Sequence, residues 1–362
     1  MRILCCTEAF WPRTGGIETF TDRFTRGLAA AGHEVTILTS QDDQSWPAHE
    51  RRGVVKVHRL PLVGALQDPD PGKLLSTRAA VRSLHRQLAP DVVHVAFPGV
   101  AGYYALRALE REPAPMLLRV HTLWPGDGGR HEVFHRLLDA AGWVTTVSGA
   151  ALADVRRFHP SVADRASVVH SGVDRPALDP GPLPHDPAVV LALGRLAPEK
   201  GIDVLLRAMT AVEPPTRLVV VGDGPERAGL SALATSLGLD DRVDWVGAVA
   251  PELVWDHLQR ATVVAIPSRS DAFPRAAIEA AHLGRAVVAT RIGGLVESVL
   301  DGETGLLVPP DDPPALAAAL QRVLTAPALA AALGAAGRRH AERFSMVAAV
   351  DAHLDRYAHL IR

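Results

Sequence analysis

Two carboxylates stand on either side of a proline in the stretch Ile266 to Gly294, IPSRSDAFPRAAIEAAHLGRAVVATRIGG. Thr262 to Ile266 is a short β-branched run that reads as a buried strand, and Pro267 ends it because it has no N–H for the ladder. Pro274 suits a first helical turn, so a helix is expected from near Phe273 to Gly284, with Asp271 and Ser270 as candidate caps. Its amino end would present unpaired N–H groups and the positive end of the helix dipole, which suits a phosphate or diphosphate. Asp271 precedes that end, and Glu279 lies roughly 7.5 Å further along the axis at about 1.5 Å per residue. Carboxylates accept hydrogen bonds and donate none, so the pair could hold sugar hydroxyls on the two sides of a diphosphate. The same spacing also fits Asp271 as a cap and Glu279 as a solvated, ion-paired helix position.

A second cluster with chemistry is Gly194-Arg195-Leu196-Ala197-Pro198-Glu199-Lys200-Gly201, between an expected strand at Ala188 to Leu193 and an expected helix at Ile202 to Met209. A planar guanidinium and a mobile ammonium five residues apart, beside glycines, can neutralise a diphosphate together. Gly222-Asp223-Gly224-Pro225-Glu226 follows the expected strand Arg217 to Val221, and Gly247-Ala248-Val249 follows Val243 to Val246. In the amino-terminal half, Arg2 to Cys6 reads as a first strand and Thr7 to Gly16, ending Thr14-Gly15-Gly16, as a loop opening the helix Ile17 to Ala31. That loop is longer than the tight G-x-G-x-x-G turn, which argues against an NAD site. His121 closes the expected strand Met116 to His121 and runs into Leu123-Trp124-Pro125-Gly126-Asp127-Gly128-Gly129. Ligands of open α/β sheets bind beyond such strand ends, although a histidine there would also serve as a cap or core residue.

In this order the motifs resemble the retaining family-4 glycosyltransferases (glycosyl transferases group 1), over essentially the whole chain. The family's acidic-Gly-Phe-Gly signature with a second glutamate is here Asp271-Ala272-Phe273-Pro274 with Glu279: aspartate replaces the usual glutamate, and Ala272 and Pro274 replace glycines. The Gly194-Arg195 to Lys200-Gly201 loop and Gly222-Asp223-Gly224-Pro225 match closely, and Ser171-Gly172-Val173-Asp174 resembles a turn that usually begins with asparagine. The resemblance implies the GT-B fold, an α/β architecture of two facing Rossmann-like domains with parallel sheets and a C-terminal helix crossing back.

The resemblance also implies roles. Arg195 and Lys200 would take the diphosphate, Glu279 the ribose, and Asp271 and His121 the donor sugar. The backbone of Ala272, Phe273 and Pro274 would receive the phosphates. Gly194, Gly222 and Gly224 would line the nucleotide, Gly247 and Val249 would read the base through the backbone, and Gly15 and Gly16 would close the site. The implied reaction is metal-independent transfer of a hexose from a UDP- or GDP-sugar to a small-molecule, lipid or glycan acceptor, with no cofactor beyond the donor substrate. Alternatives are a nucleotide-sugar epimerase or hydrolase of the same architecture, or a non-catalytic nucleotide-sugar-binding protein.

The elements that must position these residues follow from composition and pattern. At 362 residues and 48% hydrophobic content the chain can fill two cores. Expected boundaries are an N-terminal domain over 1–173, a linker over 174–187 with five prolines, a C-terminal domain over 188–343, and a helix over 344–362 returning to the first domain. Forty acidic against 38 basic residues argue against a nucleic-acid surface. Cys5 and Cys6 are adjacent on a strand, so they face opposite sides and make no ordinary bridge, as expected of a cytoplasmic protein. No apolar run reaches the roughly 20 residues a bilayer span needs, and Met1-Arg2 leads into a strand, so a soluble protein is expected. The helix Lys73 to Leu88 places Arg78, Arg82, His85 and Arg86 on one face, read as solvated, with peripheral membrane contact as the alternative. Asp68-Pro69-Asp70 reads as a turn and not a metal motif.

Overall fold

A computed structural model describes residues 1–13, 15–123, 131–184, 187–213 and 215–362. Thr14, the loop residues from Trp124 to Arg130, His185 and Asp186 of the Pro-rich segment, and Pro214 lie outside the described residues. The chain forms two compact units, Met1–Gly172 with Met346–Arg362, and Val173–Ser345.

Unit 1 alternates strand and helix. In chain order it runs β1 (Arg2–Cys6), α1 (Gly16–Ala30), β2 (Glu34–Ser40), β3 (His49–Arg52), β4 (Val55–Leu60), α2 (Leu62–Gln67), α3 (Pro71–Leu88), β5 (Val92–Val95) and α4 (Val100–Leu109). It continues with β6 (Met116–Val120), α5 (His131–Ala140), β7 (Trp143–Thr146), α6 (Gly149–Phe158) and β8 (Ala166–Val168). Among the described residues these strands form one sheet in the order β3-β4-β2-β1-β5-β6-β7-β8, parallel except for the edge strand β3. The two-residue period sorts the strands between two cores: Leu4 and Cys6 face one side with Val93 and Leu118, while Ile3 and Cys5 face the other with Val92 and Leu117. Both cysteines are buried and free, as their adjacency on one strand requires.

Unit 2 repeats the plan with β9 (Val189–Leu193), α7 (Ile202–Met209), β10 (Arg217–Val221), α8 (Arg227–Ser236), β11 (Val243–Gly247), α9 (Val254–Gln259) and β12 (Val263–Ile266). Then come α10 (Arg275–His282), β13 (Ala286–Thr290), α11 (Leu295–Ser298), β14 (Gly305–Val308), α12 (Pro313–Leu324) and α13 (Pro327–Ala341). Its sheet, in the order β11-β10-β9-β12-β13-β14, is parallel throughout. The order reverses between β9 and β12. The following helices diverge to opposite faces there: α7 packs in one core and α10 in the other, which opens a crevice at the carboxyl ends of these two strands. Both units are thus Rossmann-like. The last helix, α14 (Met346–Ile361), packs into unit 1 with Met346, Val350 and Tyr357 in the core beside Phe20 and Phe24.

Several local expectations are corrected. The HERR edge strand β3 has no apolar alternation, and its side-chain contacts with β4 are polar, Glu50 with Arg59 at 2.6 Å and the His49 ring on that of His58, so no hydrophobic signal marks it. Asp68-Pro69-Asp70 is the turn between α2 and α3, and both of its carboxylates are used locally: Asp70 accepts from the Gly72 N–H and Asp68 pairs with Lys73. His85, placed on the solvated face of α3, turns inward and is buried. The Pro-rich segment is anchored on unit 2. Arg285, fully buried, donates to the Gly181 carbonyl at 2.9 Å, Gln259 Nε2 donates to the Asp179 carbonyl at 2.8 Å, and Thr262 Oγ1 donates to the Pro184 carbonyl at 2.6 Å. Among the described residues no single helix is long and apolar enough to cross a membrane.

Candidate active site

The crevice of unit 2 is built by the loops after β9, β10, β11, β12 and β13, all at the carboxyl edge of the sheet because the strands are parallel. The loop after β9 carries Arg195 and Lys200, and the loop after β12 carries Asp271 to Pro274. These two loops meet across the point where the strand order reverses. Lys200 Nζ donates to Asp271 Oδ2 at 2.5 Å, with the lysine side chain 29% exposed and the aspartate 11%. Backbone bonds fix the register of that meeting. The Glu199 carbonyl accepts from the Arg269 N–H at 2.8 Å, and the Asp271 carbonyl accepts from the Gly294 N–H at 3.1 Å.

Two glycines make the close approach feasible. Gly201 has φ +64, and a Cβ there would lie 2.1 Å from the Pro267 carbonyl oxygen. Gly222 has φ +137, and its Cβ would lie 1.8 Å from the Gly194 carbonyl oxygen. Neither position admits a side chain without moving backbone. Gly222 also donates its N–H to the Gly247 carbonyl at 2.8 Å, so the loops after β9, β10 and β11 form one nested surface. Gly224 completes it, with Leu196 accepting from the Glu226 N–H at 3.0 Å and donating to the Asp223 carbonyl at 2.9 Å. Val249 packs against the core behind this surface.

The expected cap is not made. Pro274 is itself the N-cap of α10, which begins at Arg275, and no side chain caps it. Asp271 is spent on Lys200 instead, because the fold brings a full positive charge to it and a carboxylate gains more from an ammonium than from a peptide N–H. Ala272 and Phe273 are buried, with the Phe273 ring 5.3 Å from that of Phe344. Glu279 accepts from Arg275 Nη2 at 3.1 Å, the two side chains 17% and 15% exposed. Arg195 points outward, 68% exposed, and pairs with Glu199 at 2.6 Å. Lys200 and Asp271 are therefore brought together, whereas the two cations each hold their own carboxylate. Arg275 and Glu199 were not singled out from the sequence. Arg275 was legible as an i,i+4 partner of Glu279 and Glu199 as an i,i+4 partner of Arg195, while the second role of Glu199, through its carbonyl, is one that no residue type reveals.

In unit 1, Gly15 is the extended N-cap of α1, and the helix begins at Gly16, one residue earlier than the sequence suggests. His121 follows β6, and its imidazole bonds the backbone of Ala96 at the end of β5. Its Nε2 is buried with no partner among the described residues. The pKa of His121 lies well below the ordinary value, first because of burial and then because of Arg119 and His94. Those of His94, at about 3, and His353 are depressed chiefly by burial as well. Such histidines bind protons more readily in the unfolded chain than in the fold. Their contribution is intact above the unfolded value near 6.5 and erodes as pH falls below it, by up to about 1.4 kcal/mol per pH unit for each ring. Thermal denaturation of unit 1 followed from pH 7 to 5 is expected to show this loss, and a midpoint that stays level over that interval would contradict it.

Comparison with known proteins bears directly on this arrangement. The family model for Glycosyltransferase Family 4 matches residues 14–177, and that for Glycosyl transferases group 1 matches residues 176–340. A D-inositol 3-phosphate glycosyltransferase of Catenulispora acidiphila is 31% identical over 387 residues, covering 96% of this chain and 90% of that protein. The chain belongs to the family-4 glycosyltransferases. Among solved structures, a sucrose-phosphate synthase from Thermosynechococcus elongatus superposes with a TM-score of 0.87 at 27% identity, over 99% of this chain and 98% of that one. Anabaena HepE in complex with UDP-glucose gives a TM-score of 0.81 at 22% identity over 99% and 100%. The fold of this glycosyltransferase is accordingly GT-B, and the residues assembled at the β9–β12 crevice belong to a transferase.

Proposed function

We propose that this glycosyltransferase moves a hexose from a UDP- or GDP-sugar to an acceptor hydroxyl with retention of configuration, without a metal. The observation that carries the reading is the 2.5 Å contact of Lys200 with Asp271 beside the amino end of α10: a cation for the diphosphate next to an acceptor for the sugar. A diphosphate arriving at that helix end competes with Asp271 for the ammonium and frees the carboxylate for a sugar hydroxyl. The exposed Arg195 adds a second cation, and Glu279, oriented by Arg275, takes the ribose. His121, whose Nε2 has no partner among the described residues, offers it to a hydroxyl of the sugar.

In the reaction the bond from the anomeric carbon to the diphosphate oxygen breaks and that to the acceptor oxygen forms on the same face. The acceptor's proton passes to the departing phosphate oxygen. No side-chain nucleophile is required, and the cations stabilise the charge that develops on the leaving group. The relatives named D-inositol 3-phosphate glycosyltransferases make a cyclitol phosphate the first acceptor to try, and the complex of HepE supports UDP-glucose as the first donor. The reaction would take place in the cytoplasm.

A thermal-shift panel of UDP- and GDP-sugars tests the reading, since selective stabilisation names the donor. Failure of every nucleotide sugar to raise the melting temperature would overturn it. Release of UDP or GDP that needs no acceptor would favour a hydrolase or epimerase. Turnover is further expected to be unchanged in excess chelator, and a strict divalent requirement would refute the metal-independent route.

A further inference from the structure

Unit 1 buries a positive charge that no carboxylate answers. Arg119 on β6 is 0% exposed, and among the described residues its guanidinium meets neutral groups throughout. It donates to the Val169 carbonyl at 3.0 Å and to Ser171 Oγ at 3.2 Å, lies 3.1 Å from His353 Nε2, and sits 4.6 Å over the Phe20 ring. Buried charges are normally paired, so an arginine kept this way weighs against stability.

The hydrogen bonds fix the protonation of its neighbours. His353 Nδ1 lies 2.6 Å from the Ala349 carbonyl and must donate to it, which leaves Nε2 as a lone pair accepting from Arg119. One more proton on that ring would set two cations 3.1 Å apart. At His121 the partner is Ala96, whose N–H is already given to the Cys6 carbonyl at 2.9 Å, so the imidazole donates to the Ala96 carbonyl. Because Nε2 has no partner among the described residues, the donor is Nδ1 and Nε2 is again the acceptor. Phe20 joins the two centres. Its ring lies beneath Arg119 and meets the His121 ring edge-on at 5.6 Å, and it stacks at 5.4 Å on Phe24, which touches His353 at 4.7 Å.

We propose that Arg119, clamped by His353 of the C-terminal helix, is a positioning residue for His121: through Phe20 it sets the orientation of the imidazole, and its charge joins burial in keeping that ring a neutral acceptor for a hydroxyl of the transferred sugar. The sugar contact rests on the function proposed above; the clamp does not. Among the described residues the titratable and charged groups facing His121 are Arg119 of β6, His94 of β5 and His353 of α14. Tyr357 of α14 reaches it through His94, its hydroxyl 2.6 Å from His94 Nδ1. Burial, Arg119 and His94 oppose a proton on His121, and among the described residues the Ala96 carbonyl favours one. The last helix of the chain thereby supplies part of the support for a residue at a strand end far back in the sequence.

Histidine-labelled full-length protein, with the His121 signals assigned by His121→Gln, tests this by NMR without any donor. The ring is expected to be the Nδ1–H tautomer with no titration between about pH 5.5 and 8. Arg119→Gln keeps amide donors but removes the charge, and should let His121 take up a proton inside that window. With UDP-glucose as probe donor, turnover should then fall about tenfold at pH 6, the equivalent of one pKa unit, with the gap closing toward pH 8. Arg119→Lys should leave His121 neutral. A folded Arg119→Gln whose His121 signals match the parent protein would overturn the proposal whatever the activity. Should Arg119→Gln fail to fold, His353→Gln, whose amide oxygen can still accept, and His353→Leu, which cannot, decide it. The first should preserve the His121 signals and the second shift them, and identical spectra would refute the clamp.

Discussion

Lys200→Ala is expected to lower turnover by about two to three orders of magnitude, the effect of deleting one oxyanion-type donor. The ammonium is placed with little freedom. Lys200 ends the short helical turn Pro198–Lys200, is succeeded by the positive-φ Gly201, and is held at 2.5 Å by Asp271. Charge on the diphosphate grows as its bond to the sugar lengthens, so the loss should fall more on kcat than on KM. Removing the lysine also strands a carboxylate that is 11% exposed. Lys200→Ala combined with Asp271→Asn therefore separates a catalytic defect from a folding one: melting temperature should recover in the double variant while turnover does not. A kcat within a few-fold of the parent protein in folded Lys200→Ala would remove the leaving-group argument.

Gly222→Ala should destabilise unit 2 by about 3–5 kcal/mol, in the range reserved for core clashes and forbidden backbone geometry. The new methyl would stand 1.8 Å from the Gly194 carbonyl oxygen at a φ of +137, and backbone cannot step aside as a flexible side chain would. The Gly222 N–H is meanwhile needed by the Gly247 carbonyl, so moving one loop moves three. Denaturant titration should give a lower midpoint with an unchanged slope. A midpoint within experimental error of the parent protein would mean that the loops are not nested in solution as they are here.

Much of this was legible in the residues. The helix Ile202–Met209 and the strand Arg217–Val221 begin and end where their apolar periodicity does, and Asp271 and Glu279 stand at the amino end and along one helix as their spacing from Pro274 implies. What escaped was decided by partners distant in the chain. Asp271 gave no sign that it would face Lys200, because the contact is created by β9 and β12 lying side by side, and strand order is a property of the whole sheet. His85 reads as one of a row of basic residues, yet its ring turns inward. The Arg119 cluster draws on β5, β6, α1 and α14, and nothing local in MLLRV distinguishes a buried arginine from an exposed one.

Cys5 and Cys6 sit side by side on β1, inside the sheet of unit 1, with one thiol on each of its faces. They are the chain's two cysteines, so unit 2 contains none. Burial pushes the Cys5 thiol up to about 12 and the Cys6 thiol higher still, and a sulfur in that state is chemically silent toward alkylating reagents. Any labelling that does occur must come from molecules in which strand β1 has lost cover on the corresponding side. The protein thus carries an intrinsic stopwatch for the breathing of one half: the rate at which a thiol dye is consumed reports how often that sheet is laid bare, free of contribution from the other half.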